Sequence, residues 1–115
     1  MQEISLSPSL SQKVYVTLGG QNCAIKLHQR STGFYIDLYV DDTAIMQGVL
    51  CLNCIYLVRY KYLGFKGDLI FVDTKGDSDP VYDEIGTRFK LYYASSDEVD
   101  GSELWRPRDL VYRRY

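Results

Sequence analysis

Three stretches of the chain alternate apolar and polar residues with period two. In residues 13–18, Val14, Val16 and Leu18 fall on one side and Tyr15 and Thr17 on the other. Residues 21–28 set Cys23, Ile25 and Leu27 against Asn22, Ala24, Lys26 and His28. Residues 34–40 set Phe34, Ile36, Leu38 and Val40 against Tyr35, Asp37 and Tyr39. Successive side chains of a strand point to opposite faces, so each stretch predicts a strand with one buried face. The breaks carry turn chemistry. Gly19-Gly20 accepts the positive φ of a tight hairpin, residues 30–33 ("RSTG") form a turn cluster, and Asp41-Asp42 returns the chain into residues 43–50. Three hairpin links in a row predict an antiparallel meander.

Residues 51–64 are apolar or aromatic almost throughout, with Leu52, Tyr56, Arg59 or Tyr60, and Leu63 at helix-like spacing. One short helix near residues 54–62 and a bent strand both satisfy this pattern, and periodicity does not choose between them. Beyond Gly64 and Gly67 the strand pattern returns in residues 68–74 and again in 87–93, on either side of the loop "DTKGDSDP". The expectation is an all-β domain over residues 1–93, either a small antiparallel barrel or a compact sandwich. Residues 94–115 break the alternation and are expected to form a C-terminal arm. A solvated tail has no need of Leu104, Trp105, Leu110 and Val111, and Trp and Arg are the residue types that most often anchor interfaces. Trp105, Arg106, Arg108, Arg113, Arg114 and Tyr115 are therefore candidate partner contacts.

Composition narrows the classes. At 115 residues there is room for one core, and 46% hydrophobic with 24% charged residues is ordinary for a folded globule. Eleven tyrosines supply stiff, amphipathic side chains suited to half-buried strands and to interfaces. A net charge of −2 argues against a nucleic-acid partner. The charge is unevenly spread: residues 68–84 hold Asp68, Asp73, Asp77, Asp79, Asp83 and Glu84 against Lys75, whereas the last ten hold four arginines against Asp109. The N-terminal residues show no basic lead and apolar run, and no stretch is long enough to cross a bilayer, so a cytoplasmic origin and no membrane partner are expected. Three cysteines, an odd count, read as reduced thiols.

Candidate chemistry is thin. Counting Asp73 as the first ligand of a calcium loop puts Asp77 fifth, Asp79 seventh and Glu84 twelfth, but Lys75 takes the third position and Ser78 stands where the sharp turn needs glycine. A hairpin connection explains the same residues. Cys51 and Cys54 form a Cys-x-x-Cys that, with Cys23 and His28, offers four soft ligands. Residues 23 and 28 point to opposite faces of one strand, however, so both cannot bind one ion. The single histidine has no recognisable nucleophile motif beside it. No enzyme, metal or cofactor is expected.

Together "VTLGGQNCAIKL", "GFYIDLYVDD" and "YKYLGFKGDLIFVDTKGDSDPVYDEIGTRFKLYY" resemble the phage baseplate plug family over about residues 2–93. The most specific elements are the early Leu-Gly-Gly turn, the Tyr-x-Tyr-Leu-Gly turn at 60–64, the "LIFVDT" strand with its Gly-Asp loop, and the "GTRFKLYY" ending. The resemblance implies a virion structural protein without catalysis, present in multiple copies at the tip of a contractile tail. Its partners would be other tail and baseplate proteins of the hub, spike or tube. On that view Asp77 and Asp79 form an acidic tip for a neighbour's arginines, and Tyr35 and Tyr39 are partner contacts. The competing reading is a small β-barrel module that binds a glycan or peptide through aromatic rows such as Tyr35/Tyr39 or Tyr56/Tyr60.

Overall fold

The computed structural model describes residues 1–59 and 64–100. Among these residues seven strands run β1 (Gln2–Ile4), β2 (Ser11–Leu18), β3 (Gln21–Arg30), β4 (Gly33–Val40), β5 (Thr43–Leu50), β6 (Asp68–Asp73) and β7 (Phe89–Ala94), followed by a helical turn and a half, α1 (Ser96–Asp100). They form two antiparallel sheets, a four-stranded one in the order β2-β3-β4-β5 and a three-stranded one in the order β1-β7-β6. The molecule is all-β and a compact sandwich. The four-stranded sheet is the meander expected from the alternation. Its turns have the required backbone: Gly19 and Gly20 lie at φ 57° and 76°, and Asp41 and Asp42 at 50° and 67°.

Burial follows the pattern. Cys23, Ile25 and Leu27 of β3 and Phe34, Ile36, Leu38 and Val40 of β4 face inward, against Ile4, Leu69, Phe71, Phe89, Leu91 and Tyr93 of the smaller sheet. Phe34 and Phe71 meet edge to face across this core, 6.1 Å between centroids. β6 is buried at nearly every position because its other face is covered too: Ile70 packs with Ala94, Tyr92 and Tyr56 in a second, smaller cluster.

Tyr56 belongs to the ambiguous segment, and its described residues settle the alternative. Residues 54–59 are not helical; they run irregularly along the outer edge of β6, with bridges from Asn53 to Phe71 and from Tyr56 to Ile70. Residues 60–62 of the predicted helix lie outside the described residues. What holds the segment is one aspartate. Asp68 is buried, and its Oδ1 accepts the backbone N–H groups of Leu57 (3.1 Å), Val58 (2.8 Å) and Leu69 (2.7 Å), while Oδ2 accepts that of Arg59 (2.7 Å). Burial pushes its pKa up, against these four hydrogen bonds, which pull it down. The next turn lies close to the core. Gly67 sits at φ 119°, and any Cβ there would run into the carbonyl oxygen of Ala94.

Candidate interaction surface

The outward residues of β2, β3 and β4 make a face of tyrosines and cations. Strand register puts Tyr15, Ala24 and Tyr39 in one row, Lys13, Lys26 and Asp37 in the next, and Ser11, His28 and Tyr35 in a third. Lys13 lies 4.9 Å from the centroid of Tyr15, Lys26 5.1 Å from that of Tyr39, and Arg30 5.7 Å from that of Tyr35. His28 stacks on Tyr35 at 6.0 Å and 15°. The hydroxyls are fixed as well: Gln47 Nε2 donates to Tyr39 Oη (2.8 Å), and Tyr35 Oη shares a 2.7 Å hydrogen bond with Thr32 Oγ1. Rings held at both ends lose little freedom when a partner covers them, which favours association.

The edge of this face at β5 is distorted. Ile36 pairs with Val49 and Leu38 with Met46, so β5 carries an extra residue there. Gly48, at φ 64°, takes up the bulge and donates its N–H to Asp37 Oδ1 (2.6 Å). Lys13 and Lys26 lie directly across from each other, and Asp37 stands on the other side of Lys26 in the same row. At one end of the face is a depression of about 460 Å³, lined by Tyr15, Thr17, Asn22, Ala24, Asp41 and Asp42 among others.

The acidic loop is organised from within. Arg88 on the approach to β7 grips Asp73 at the end of β6 with two hydrogen bonds, Nε to Oδ1 (2.8 Å) and Nη2 to Oδ2 (2.9 Å). The N–H groups of Lys75 and Ser78 close on the same carboxylate at 2.8 Å each. The Arg88 guanidinium, with those amides, holds the Asp73 carboxyl well below the usual carboxylate range. The position counted as the first calcium ligand therefore already faces an internal cation. Asp79 Oδ1 accepts the N–H of Asn53 (2.9 Å), and Asn53 Oδ1 accepts that of Asp73 (2.8 Å), so the loop is tied to the segment beside β6. Tyr82 N–H reaches Gln29 Oε1 at 3.1 Å, which joins the loop to the end of β3. Asp77, Asp79 and Asp83 nevertheless remain exposed on this rigid base.

The structure thus distributes the candidate residues over two places: Tyr35 and Tyr39 on the outer sheet face, Asp77 and Asp79 on the loop. Trp105, Arg106, Arg108, Arg113, Arg114 and Tyr115 lie outside the described residues, as does Tyr60. Tyr56, named with Tyr60 as a surface row, is only 2% exposed and packs on Ile70 instead. Cys23, Cys51 and Cys54 are all buried, and burial raises the Cys51 and Cys23 thiols, so neither is a ready thiolate. Cys23 points into the core while His28 stacks on the outer face, as the strand geometry requires. The cation–ring pairs were missed by sequence reading. Their signal is cross-strand neighbourhood, which becomes visible only when the hairpin register is written out.

The chain is thus a small all-β sandwich with an aromatic and basic sheet face and a separate, internally braced acidic loop. The chain belongs to the family described as cyanophage baseplate Pam3 plug gp18, whose model matches residues 1–97. A search of the curated proteins found no match.

Proposed function

We propose that this chain is a structural, non-enzymatic part of a contractile phage tail baseplate, where it packs as a plug against hub, spike or tube proteins. The observation that carries this reading is the family match over residues 1–97. The surface supports it. Two contact areas of opposite character, the Tyr35/Tyr39 face with its cations and the Asp77/Asp79 loop, suit a part wedged between several neighbours. Charge complementarity would then set orientation more than affinity. The arm expected over residues 94–115, whose first residues the structure places in β7 and α1, would add a third contact through its arginines and Trp105. Among the described residues no helix is long and apolar enough to cross a membrane.

The test is a pull-down of the tagged full chain from a lysate that expresses the phage's tail proteins, read by mass spectrometry. Enrichment of hub, spike or tube proteins, reduced by Tyr35→Ser with Tyr39→Ser or by Asp77→Lys, is the expected result. Recovery of the bait alone, with those proteins soluble and present, would overturn the reading. Saturable glycan binding by the isolated chain would point to the binding-module alternative.

A further inference from the structure

We infer that β2 is an open pairing edge, and that two copies of the chain join through it, antiparallel, with Tyr15 facing Tyr15 across a two-fold axis. The inference stands apart from the baseplate reading.

The other sheet edges are closed or spoiled. The outer side of β6 is taken by residues 53–57, β5 is bulged, and β1 has three residues. β2 is different: it pairs with β3 without a shift from Ser11 to Leu18 and contains no proline. Its hydrogen-bonding phase can be read from one bond. Gln29 N–H donates to Leu10 O, so Leu10–Gln29 is a hydrogen-bonded pair, and the same phase continues at residues 12, 14, 16 and 18. The N–H and C=O groups of residues 11, 13, 15 and 17 therefore point away from β3. Ser9 Oγ satisfies both groups of Ser11, donating to its carbonyl (2.7 Å) and accepting from its N–H (3.3 Å). Those of Lys13, Tyr15 and Thr17 have no partner among the described residues, and the side chains beside them are exposed, Tyr15 by 74%. Such an edge is a template for another strand.

The open groups select both occupant and register. A second β2 centred on Tyr15 pairs Lys13 with Thr17, Tyr15 with Tyr15 and Thr17 with Lys13, and each pair exchanges two hydrogen bonds. Every open group is used. Centring on Val14 would call on Ser11, which Ser9 already holds; centring on Val16 would call on Gly19, which lies in the turn. Centring on Lys13 would set ammonium against ammonium. Lys13, the usual guard of an edge, thus excludes the wrong register and leaves the Tyr15-centred one free. In that register the two tyrosine rings meet on the outer face, while Val14 opposes Val16 below.

Sedimentation velocity of the full chain, over a series from micromolar to millimolar, should show a reversible monomer–dimer equilibrium. Tyr15→Pro is the decisive variant, because the N–H it deletes points outward and plays no part in the β2–β3 ladder. It should keep the circular dichroism and cooperative melt of the parent and weaken dimerisation at least tenfold. Should that variant fail to fold, Tyr15→Cys under mild oxidation provides a second reading. A rapid, quantitative intermolecular disulfide is expected, against slow or no cross-linking for Thr43→Cys at the exposed start of β5. A chain that stays monomeric throughout, a dimer indifferent to Tyr15→Pro, or equal cross-linking at both cysteines would overturn the inference.

Discussion

Replacing Asp68 with alanine should be among the most damaging changes of a polar residue in this protein, and its cost can be worked out donor by donor. Four N–H groups lose their acceptor. Leu57 N–H keeps a second one, the carbonyl of Leu69 at 2.9 Å, and Arg59 N–H is only partly buried and can turn to water. Val58 N–H and Leu69 N–H are buried and have no alternative among the described residues, since Leu69 turns its backbone groups toward Leu57 and away from β7. Leaving a buried donor unsatisfied costs about 1–3 kcal/mol, so the pair sums to roughly 2–6 kcal/mol before relaxation. Because residues 56–59 are irregular and can shift, a value of about 3 kcal/mol is expected, which lowers Tm by roughly 10–20 °C in a domain of this size. Urea unfolding followed by tyrosine fluorescence and circular dichroism measures it, with Asp83→Ala on the exposed loop as the control, expected within about 0.5 kcal/mol of wild type. A loss at Asp68 no greater than that of the control would refute the reasoning.

Other outcomes follow from the same geometry. The Asp73–Arg88 clamp, with Asp73 depressed, contributes stability that is complete above the unfolded carboxylate pKa of about 4 and is lost as pH falls toward the lower folded value. Arg88→Met should therefore reduce stability at neutral pH and flatten the acid limb of a stability-versus-pH curve; an unchanged slope below about pH 4 would contradict this. Asp68, raised by burial, has the opposite sign: its contribution is fullest below the unfolded pKa and falls as pH rises through the folded one. Asp68→Asn should accordingly lose least, relative to wild type, at neutral pH and above, as paired denaturant titrations would show. Phe71→Ala removes the fully buried ring that meets Phe34 and should cost about 3–5 kcal/mol in the same assay. Asp42→Gly, at φ 67°, relieves a left-handed conformation and should stabilise by about 0.5 kcal/mol, read as a small rise in Tm.

β2, β3 and β4 were legible because in each of them side-chain alternation and burial coincide, whereas β5, bulged and without a clean alternation, was placed by the Asp41-Asp42 turn before it. Residues 51–58 were not, because nearly every one of them is buried and a segment buried on all sides has no period to read. Asp68 and Asp73 looked like members of an outward acidic run. Their inward turn depends largely on backbone amides, which every residue but proline carries and which leave no trace in composition. α1 had a local signal that went unread. Ser95 and Glu98 form a reciprocal cap, Glu98 Oε1 accepting Ser95 N–H (3.0 Å) and Ser95 Oγ accepting Glu98 N–H (3.3 Å). For the interaction surface, the residue types were visible at Tyr35, Tyr39, Asp77 and Asp79. The cations that hold the two rings were not, because they come from neighbouring strands.

The pairing of β1 with β7 bears on how the chain folds. Gln2 lies beside Tyr93 and Ile4 beside Leu91, whereas each meander pairing joins residues only a short hairpin apart. Closing a loop of about ninety residues instead of about ten costs roughly 2 kcal/mol more in chain entropy. The four-stranded sheet can therefore form early from local contacts, while the three-stranded sheet has to wait for β6 and β7 before β1 has anything to join. Among the described strand pairings, β1 with β7 is the clasp with the greatest separation along the chain. Its closure brings distant parts of the chain together and adds Ile4, the one buried residue of β1, to the core.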